Sequence, residues 1–159
     1  MRRKFILLTI SLLIVQAGWG QKLKTKDVPP RIITTLDKQF KGNKRASWEK
    51  ADSLYIVNFE YDDQKGMAIF HEKGRMISSE VSVNNEELPF SVNHYLRKNY
   101  PDDVSDSIIK ARDATKAITY RIIIAGDRLE FDNEGRFLSK EKVQDDLNEI
   151  NMESNHSEK

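Results

Sequence analysis

Phe70-His71-Glu72-Lys73-Gly74-Arg75-Met76-Ile77-Ser78 decides how this chain is read, because it returns 61 positions later as Phe131-Asp132-Asn133-Glu134-Gly135-Arg136-Phe137-Leu138-Ser139, with Phe, Gly, Arg and Ser in step. Upstream, Val28-Pro29 returns as Leu88-Pro89 at an offset of 60, and the apolar positions Ile32, Leu36 and Phe40 return as Val92, Leu96 and Tyr100. Between these anchors Tyr55-Ile56-Val57-Asn58-Phe59 is similar to Tyr120-Arg121-Ile122-Ile123-Ile124. Self-similarity at a near-constant offset is the mark of a duplicated unit. The sequence therefore predicts two copies, residues 27–83 and 87–143, joined by Asn84-Asn85-Glu86.

Within each copy the apolar period changes once. Apolar residues at i, i+4 and i+8 behind a proline predict a helix with its start marked, over 29–40 and again over 88–99. Alternation follows, with Tyr55, Val57, Phe59 and Tyr61 on one side of a strand and Tyr120, Ile122 and Ile124 in the second copy. Asp62-Asp63-Gln64-Lys65-Gly66 and Ala125-Gly126-Asp127-Arg128 read as hairpin turns, as do the glycines at 74 and 135. Strands are predicted near 45–50, 53–61, 66–71 and 75–82, then near 106–112, 117–125, 127–131 and 136–141. The expected fold class is α+β: two tandem copies of a helix followed by a four-stranded antiparallel meander, with the helices on one side of the sheet. A unit of ~60 residues buries a modest share of its surface, so the copies are expected to support each other.

The 159 residues carry 26 Lys plus Arg against 25 Asp plus Glu, no Cys, and a mean hydropathy of −0.63. Such a balance excludes non-specific binding of polyanions, and nucleic acid is not an expected partner. Three cations, Arg2, Arg3 and Lys4, open the chain and lead into the apolar run Phe5 to Val15 and the small residues Gly18 and Gly20. That order predicts a secretory signal peptide over residues 1–20, cut before Gln21. The apolar run is about half the ~20 residues that span a bilayer, so no membrane span is expected after cleavage. The expected location is periplasmic or secreted. Without cysteine, no lipobox anchor and no disulfide is available. Residues 144–159 form a polar tail that reads as a short helix, with Val143, Leu147 and Ile150 at helical spacing, and then disorder.

No phosphate-cradling glycine loop, paired-histidine zinc helix or serine elbow occurs in the sequence. His71, His94 and His156 fall in a predicted strand, helix and tail, and no nucleophile sits beside a base. Asp62-Asp63 and Asp102-Asp103 fall in turns, where Asp bonds its own backbone. The sequence predicts no enzyme, no metal site and no cofactor.

The duplicated set resembles the PepSY-like, β-lactamase-inhibitor-like family of secreted bacterial proteins. The resemblance rests on Val28-Pro29 and Leu88-Pro89, Trp48 with Glu49, Tyr55 to Phe59, and Phe70 to Gly74 with Phe131 to Gly135, and it covers nearly all of residues 27–141. It implies paired helix-plus-meander units whose uncovered sheet face is available to a partner, as inhibitory members use such a face and its loops to clasp an enzyme. The chain departs from the pattern at Ile108, which stands where the first copy has Trp48.

Alternation assigns the residues of that open face. With Tyr55, Val57, Phe59, Ala68 and Phe70 turned to the helix, Ile56, Asn58, Met67, Ile69 and His71 turn away, joined by Met76 and Trp48. In the second copy Arg121, Ile123, Arg128 and Phe137 are placed outside. An apolar patch on a face that normally meets water calls for a cover. The candidates are the tail helix, a protein or peptide of the cell envelope, a second copy in a homodimer, or a small apolar ligand. The expected function is an exported, non-enzymatic, inhibitor-like binding module; the alternative is an envelope carrier or sensor of a small apolar ligand.

Overall fold

The computed structural model describes residues 21–143. The export signal and the polar tail read from the sequence lie outside the described residues.

Helix α1 (Pro30–Gln39) starts behind Pro29 and helix α2 (Phe90–Asn99) behind Pro89. A proline's fixed φ is already that of a helix, and its missing N–H is one the first turn would leave unpaired anyway. Ile32 and Leu36 of α1 and Val92 and Leu96 of α2 are buried, each pair four residues apart on one face. Both helices stop at an aromatic residue. The N–H groups of Phe40 and Tyr100 still donate to the carbonyls of Leu36 and Leu96, at 2.8 and 2.7 Å, but the backbone leaves the helical region there and both rings turn into the core.

The strands are β1 (Gln21–Leu23), β2 (Lys44–Ala51), β3 (Leu54–Tyr61), β4 (Gln64–His71), β5 (Met76–Ser82), β6 (Ser107–Arg112), β7 (Ile118–Ile124), β8 (Asp127–Asp132) and β9 (Phe137–Lys142). They form one antiparallel sheet whose spatial order is the chain order. The β3–β4 hairpin turns on Asp62 and Asp63, at φ 49° and 60°, and the β7–β8 hairpin on Ala125 and Gly126, at φ 50° and 73°. Two successive residues at positive φ are what a two-residue hairpin loop requires, because that backbone twist matches the twist of the strands it joins.

This architecture corrects the expected fold class. The helix and strand spans lie within about two residues of those read from the sequence, but they do not build two tandem helix-plus-four-strand units. β5 pairs directly with β6 through Ser79↔Arg112, Glu80↔Ala111, Val81↔Lys110 and Ser82↔Ile109, so a single nine-stranded sheet runs through the described residues. β1, to which the sequence reading gave no strand, extends it through Leu23↔Trp48. The physical reason is the edge. A four-stranded meander leaves a row of unpaired N–H and C=O groups on its outer strands, and joining β5 to β6 satisfies both rows at once.

Cross-strand partners share a face. Trp48, Val57, Ala68, Ser79 and Arg112 therefore lie on one side of the sheet, as do Val81, Lys110, Tyr120 and Phe131. Both helices pack on this same side. α1 closes a core of Val28, Ile32, Leu36 and Phe40 over Trp48, Val57, Ala68 and Phe70; α2 closes a separate one of Leu88, Val92, Leu96 and Tyr100 over Tyr120, Ile122, Leu129 and Phe131.

Candidate functional site

The face opposite the helices carries Leu54, Ile56 and Asn58 from β3, Met67, Ile69 and His71 from β4, and Ser78, Glu80 and Ser82 from β5. Ile56 stands directly across from Ile69, and Met67 lies between Asn58 and Glu80. All three apolar side chains are half-buried. Further along, Arg121 of β7 reaches both ways. Its Nη1 lies 3.4 Å from Glu80 Oε1 and its Nε 3.5 Å from Glu130 Oε1, so one cation crosses four strands of the sheet. Arg128 and Glu141 make a longer pair at 3.8 Å. Ile109 and Ile123 sit among these charges, each opposite an arginine, Arg121 and Arg128 respectively. The face is thus an apolar centre on β3 and β4 bordered by an ionic lattice on β5 to β9.

Eight of the eleven residues assigned to this face from alternation do stand on it: Ile56, Asn58, Met67, Ile69, His71, Arg121, Ile123 and Arg128. Three do not. Trp48 pairs with Val57, is 2% exposed, and packs beside Phe70 at a ring separation of 6.3 Å. Met76 and Phe137 are turned to the helix side by two β-bulges. Ile69 pairs with Ser78 but Phe70 with Met76, skipping Ile77, and Glu130 pairs with Ser139 but Phe131 with Phe137, skipping Leu138. One inserted residue shifts the alternation by one and exchanges the faces. Met76 consequently packs against the first core, and Phe137 stacks on Tyr95 of α2 at 5.3 Å.

On the helix side a buried carboxylate marks the end of α2. Asp127 is 3% exposed and meets Lys140 Nζ at 2.8 Å and Lys142 Nζ at 2.5 Å, while Tyr100 Oη donates to its Oδ2 at 2.9 Å. Lys140 and Lys142 hold the Asp127 carboxyl far below the usual carboxylate range, and Asp127 in turn raises Lys140 above the usual lysine range. Burial raises the Tyr100 hydroxyl. The Asp127 carboxylate is compensated by the two lysines, and together with Tyr100 these contacts clamp the end of α2 to β8–β9.

No protein-family model matches the chain, and no curated protein matches it significantly. Solved structures do. A candidate periplasmic protein from Bacteroides eggerthii superposes with a TM-score of 0.60 at 13% identity, covering 74% of this chain and 91% of that one. A DUF2874 family protein from Bacteroides ovatus gives 0.58 at 18% identity, covering 74% and 89%. A BLIP-like protein from Bacteroides fragilis gives 0.56 at 17% identity, covering 72% and 86%.

The chain has a BLIP-like fold. At these identities the likeness is one of fold alone, and function rests on this chain's own residues.

Sequence reasoning missed one feature of this BLIP-like fold. Because each helix covers its own strands, the junction of β5 and β6 is covered by neither, and a cleft of about 280 Å³ remains between them. Ser79, Val81, Lys110 and Arg112 line it from the sheet, with Gln39 and Phe40 at the end of α1. A signal was present in Ser107-Ile108-Ile109-Lys110-Ala111-Arg112: with Ile108 inside, alternation puts Lys110 and Arg112 on the covered face, where cations are rare unless paired.

Proposed function

We propose that this protein is an exported, non-catalytic, inhibitor-like binding protein that holds a protein partner against the open face of its sheet. The observation that carries this reading is the Ile56–Ile69 pair with Met67 on a face that neither α1 nor α2 covers. An antiparallel sheet with one covered side normally presents polar residues on the other. An apolar centre with a charged border is the anatomy of a protein interface. The resemblance of the chain's sequence to the PepSY-like family and the fold shared with a BLIP-like protein support the same reading.

Export is supported by the charged, apolar and small-residue order of residues 2–20 and by the fold shared with a candidate periplasmic protein. Among the described residues no helix is long and apolar enough to cross a membrane. A binding rather than a catalytic role is supported by the separation of His71, on the open face, from His94, on an exposed helix position.

The test is a photo-crosslinking residue placed at Ile69, with a second at Lys38 on the helix side as control. In exporting cells, position 69 is expected to yield a discrete heterologous adduct that Ile56→Glu removes and position 38 does not give. A product of twice the chain mass assigns the face to a second copy and overturns the proposal, as does equal labelling from both positions.

A further inference from the structure

The cleft over the β5–β6 junction lies on the opposite side of the sheet from the open face. Its floor is set by register. Ser79 and Arg112 face each other, as do Val81 and Lys110, and all four side chains point between the helices. Arg112 Nη1 donates to Gln39 Oε1 at 2.7 Å, which tethers the guanidinium across the cleft to the last residue of α1. Its Nε is buried without an acceptor among the described residues. Lys110 Nζ lies 5.9 Å from the centre of the Tyr120 ring, and neither cation is ion-paired with a described residue. Ser79 is 5% exposed, and its hydroxyl has no hydrogen bond to a described side chain or backbone group. Apolar walls stand beside these polar groups: Phe40 and Tyr61, edge to face at 5.5 Å, with Val83 and Ile118. Two acids, Asp62 and Glu87, also line the cleft. Glu87 is engaged with the Asn84 N–H, and Asp62 is exposed in the β3–β4 turn.

We propose that this cleft binds a small monocarboxylate with an apolar body, its carboxylate held by Arg112, Lys110 and Ser79 and its body against Phe40, Tyr61 and Ile118. The chemistry selects that class. A half-buried pair of cations that neither Asp62 nor Glu87 engages in an ion pair is costly until an anion enters, and a planar guanidinium is matched by a planar two-oxygen acceptor. The volume is just under the roughly 300–1,000 Å³ of small-molecule sites, which restricts the body to a single ring or a short chain. With one Nη1 hydrogen committed to Gln39 and Nε buried, the second Nη1 hydrogen and the two on Nη2 remain as donors to a carboxylate. The site differs from the apolar-ligand alternative in location and in charge, and it does not depend on the open face.

The experiment titrates benzoate and hexanoate into the full exported chain and follows backbone amide shifts by NMR, with benzamide and inorganic phosphate as controls. Saturable shifts confined to residues 79–83, 110–112 and the end of α1 are expected for the carboxylates, and none for benzamide. Arg112→Gln is expected to weaken binding about tenfold or more. Lys110→Gln is a second variant, and its amide spectrum and that of Arg112→Gln report whether each remains folded. The proposal is overturned if neither carboxylate binds, if benzamide binds equally, if phosphate binds as tightly as benzoate, or if both folded variants keep wild-type affinity.

Discussion

Tyr100 Oη donates to Asp127 Oδ2 at 2.9 Å, so the residue that ends α2 is bonded to the first residue of β8. Lys140 completes the contact by donating to Tyr100 Oη at 3.0 Å while pairing with Asp127. The carboxyl is held below its unfolded range mainly by its hydrogen bonds to the two lysines. A depressed folded pKa contributes stability that is fully present above the unfolded value of about 3.9 and is lost as the pH falls through the folded value. Asp127→Asn is therefore expected to lower the melting temperature by several degrees at neutral pH and to lose less on further acidification below about pH 4 than the wild type does. Asp113 and Asp132, also depressed by hydrogen bonds to their turns, contribute equally to both proteins, so thermal melts from pH 7 to pH 2 isolate Asp127 by difference. Parallel pH profiles for the two proteins would refute this assignment.

Gly66 supports the ring of Phe59. A Cβ at Gly66 would meet Phe59 Cε2 and Cζ at 2.7 Å, and Phe59 is itself held against Phe40 at 4.7 Å. Gly66→Ala is expected to cost about 1–3 kcal/mol by overpacking. Gly42→Ala, at φ 84° with open space around it, carries a backbone penalty of only about 1–2 kcal/mol. Urea denaturation of the pair separates the two causes, since only the first is expected to rearrange aromatic side-chain NMR signals.

Trp48 and Phe70 share the first core, but their deletions are expected to differ. Trp48 Nε1 is buried without an acceptor among the described residues, so part of what the indole gains by burial is offset by that unpaired donor. Phe70, 0% exposed, has no such cost. Phe70→Ala is expected to lose about 3–5 kcal/mol. Trp48→Phe, which removes the unpaired donor and keeps a ring, is expected to lose less than about 2 kcal/mol. Equilibrium unfolding checks this, and equal losses would show that Trp48 Nε1 is satisfied in solution.

Arg121 bridges Glu80 and Glu130 at 3.4 and 3.5 Å with side chains about a third exposed. Pairs so placed are worth ~0–1 kcal/mol, and less in salt. Arg121→Met is expected to shift the denaturation midpoint by no more than that, with the difference from wild type shrinking at high ionic strength. A loss above ~2 kcal/mol would make Arg121 a structural tie rather than part of an interaction face.

Local order was legible in the chain. Tyr55, Val57 and Phe59 alternate against Ile56 and Asn58, prolines stand ahead of α1 and α2, and the paired residues at 62–63 and 125–126 make the turns. Each of these depends on a few neighbouring residues, through steric limits on φ and ψ and the period of side-chain direction. The same rules placed Ile56, Met67, Ile69, Arg121, Ile123 and Arg128 on the open face.

What depended on distant parts of the chain was not legible. The pairing of Ser79 with Arg112 merges the strands into one nine-stranded sheet, and nothing local to either residue specifies it; it follows from the unpaired edges that separate sheets would leave. The bulges at Ile77 and Leu138 reverse the side-chain phase after Phe70 and Phe131, which carries Met76 and Phe137 to the helix side. Sequence alternation counts residues in one strand, whereas a bulge exists only relative to the strand beside it. The cleft has the same origin. Lys110 and Arg112 were visible as cations on a covered face, but only the spacing of α1 and α2 over a shared sheet leaves a cavity above them.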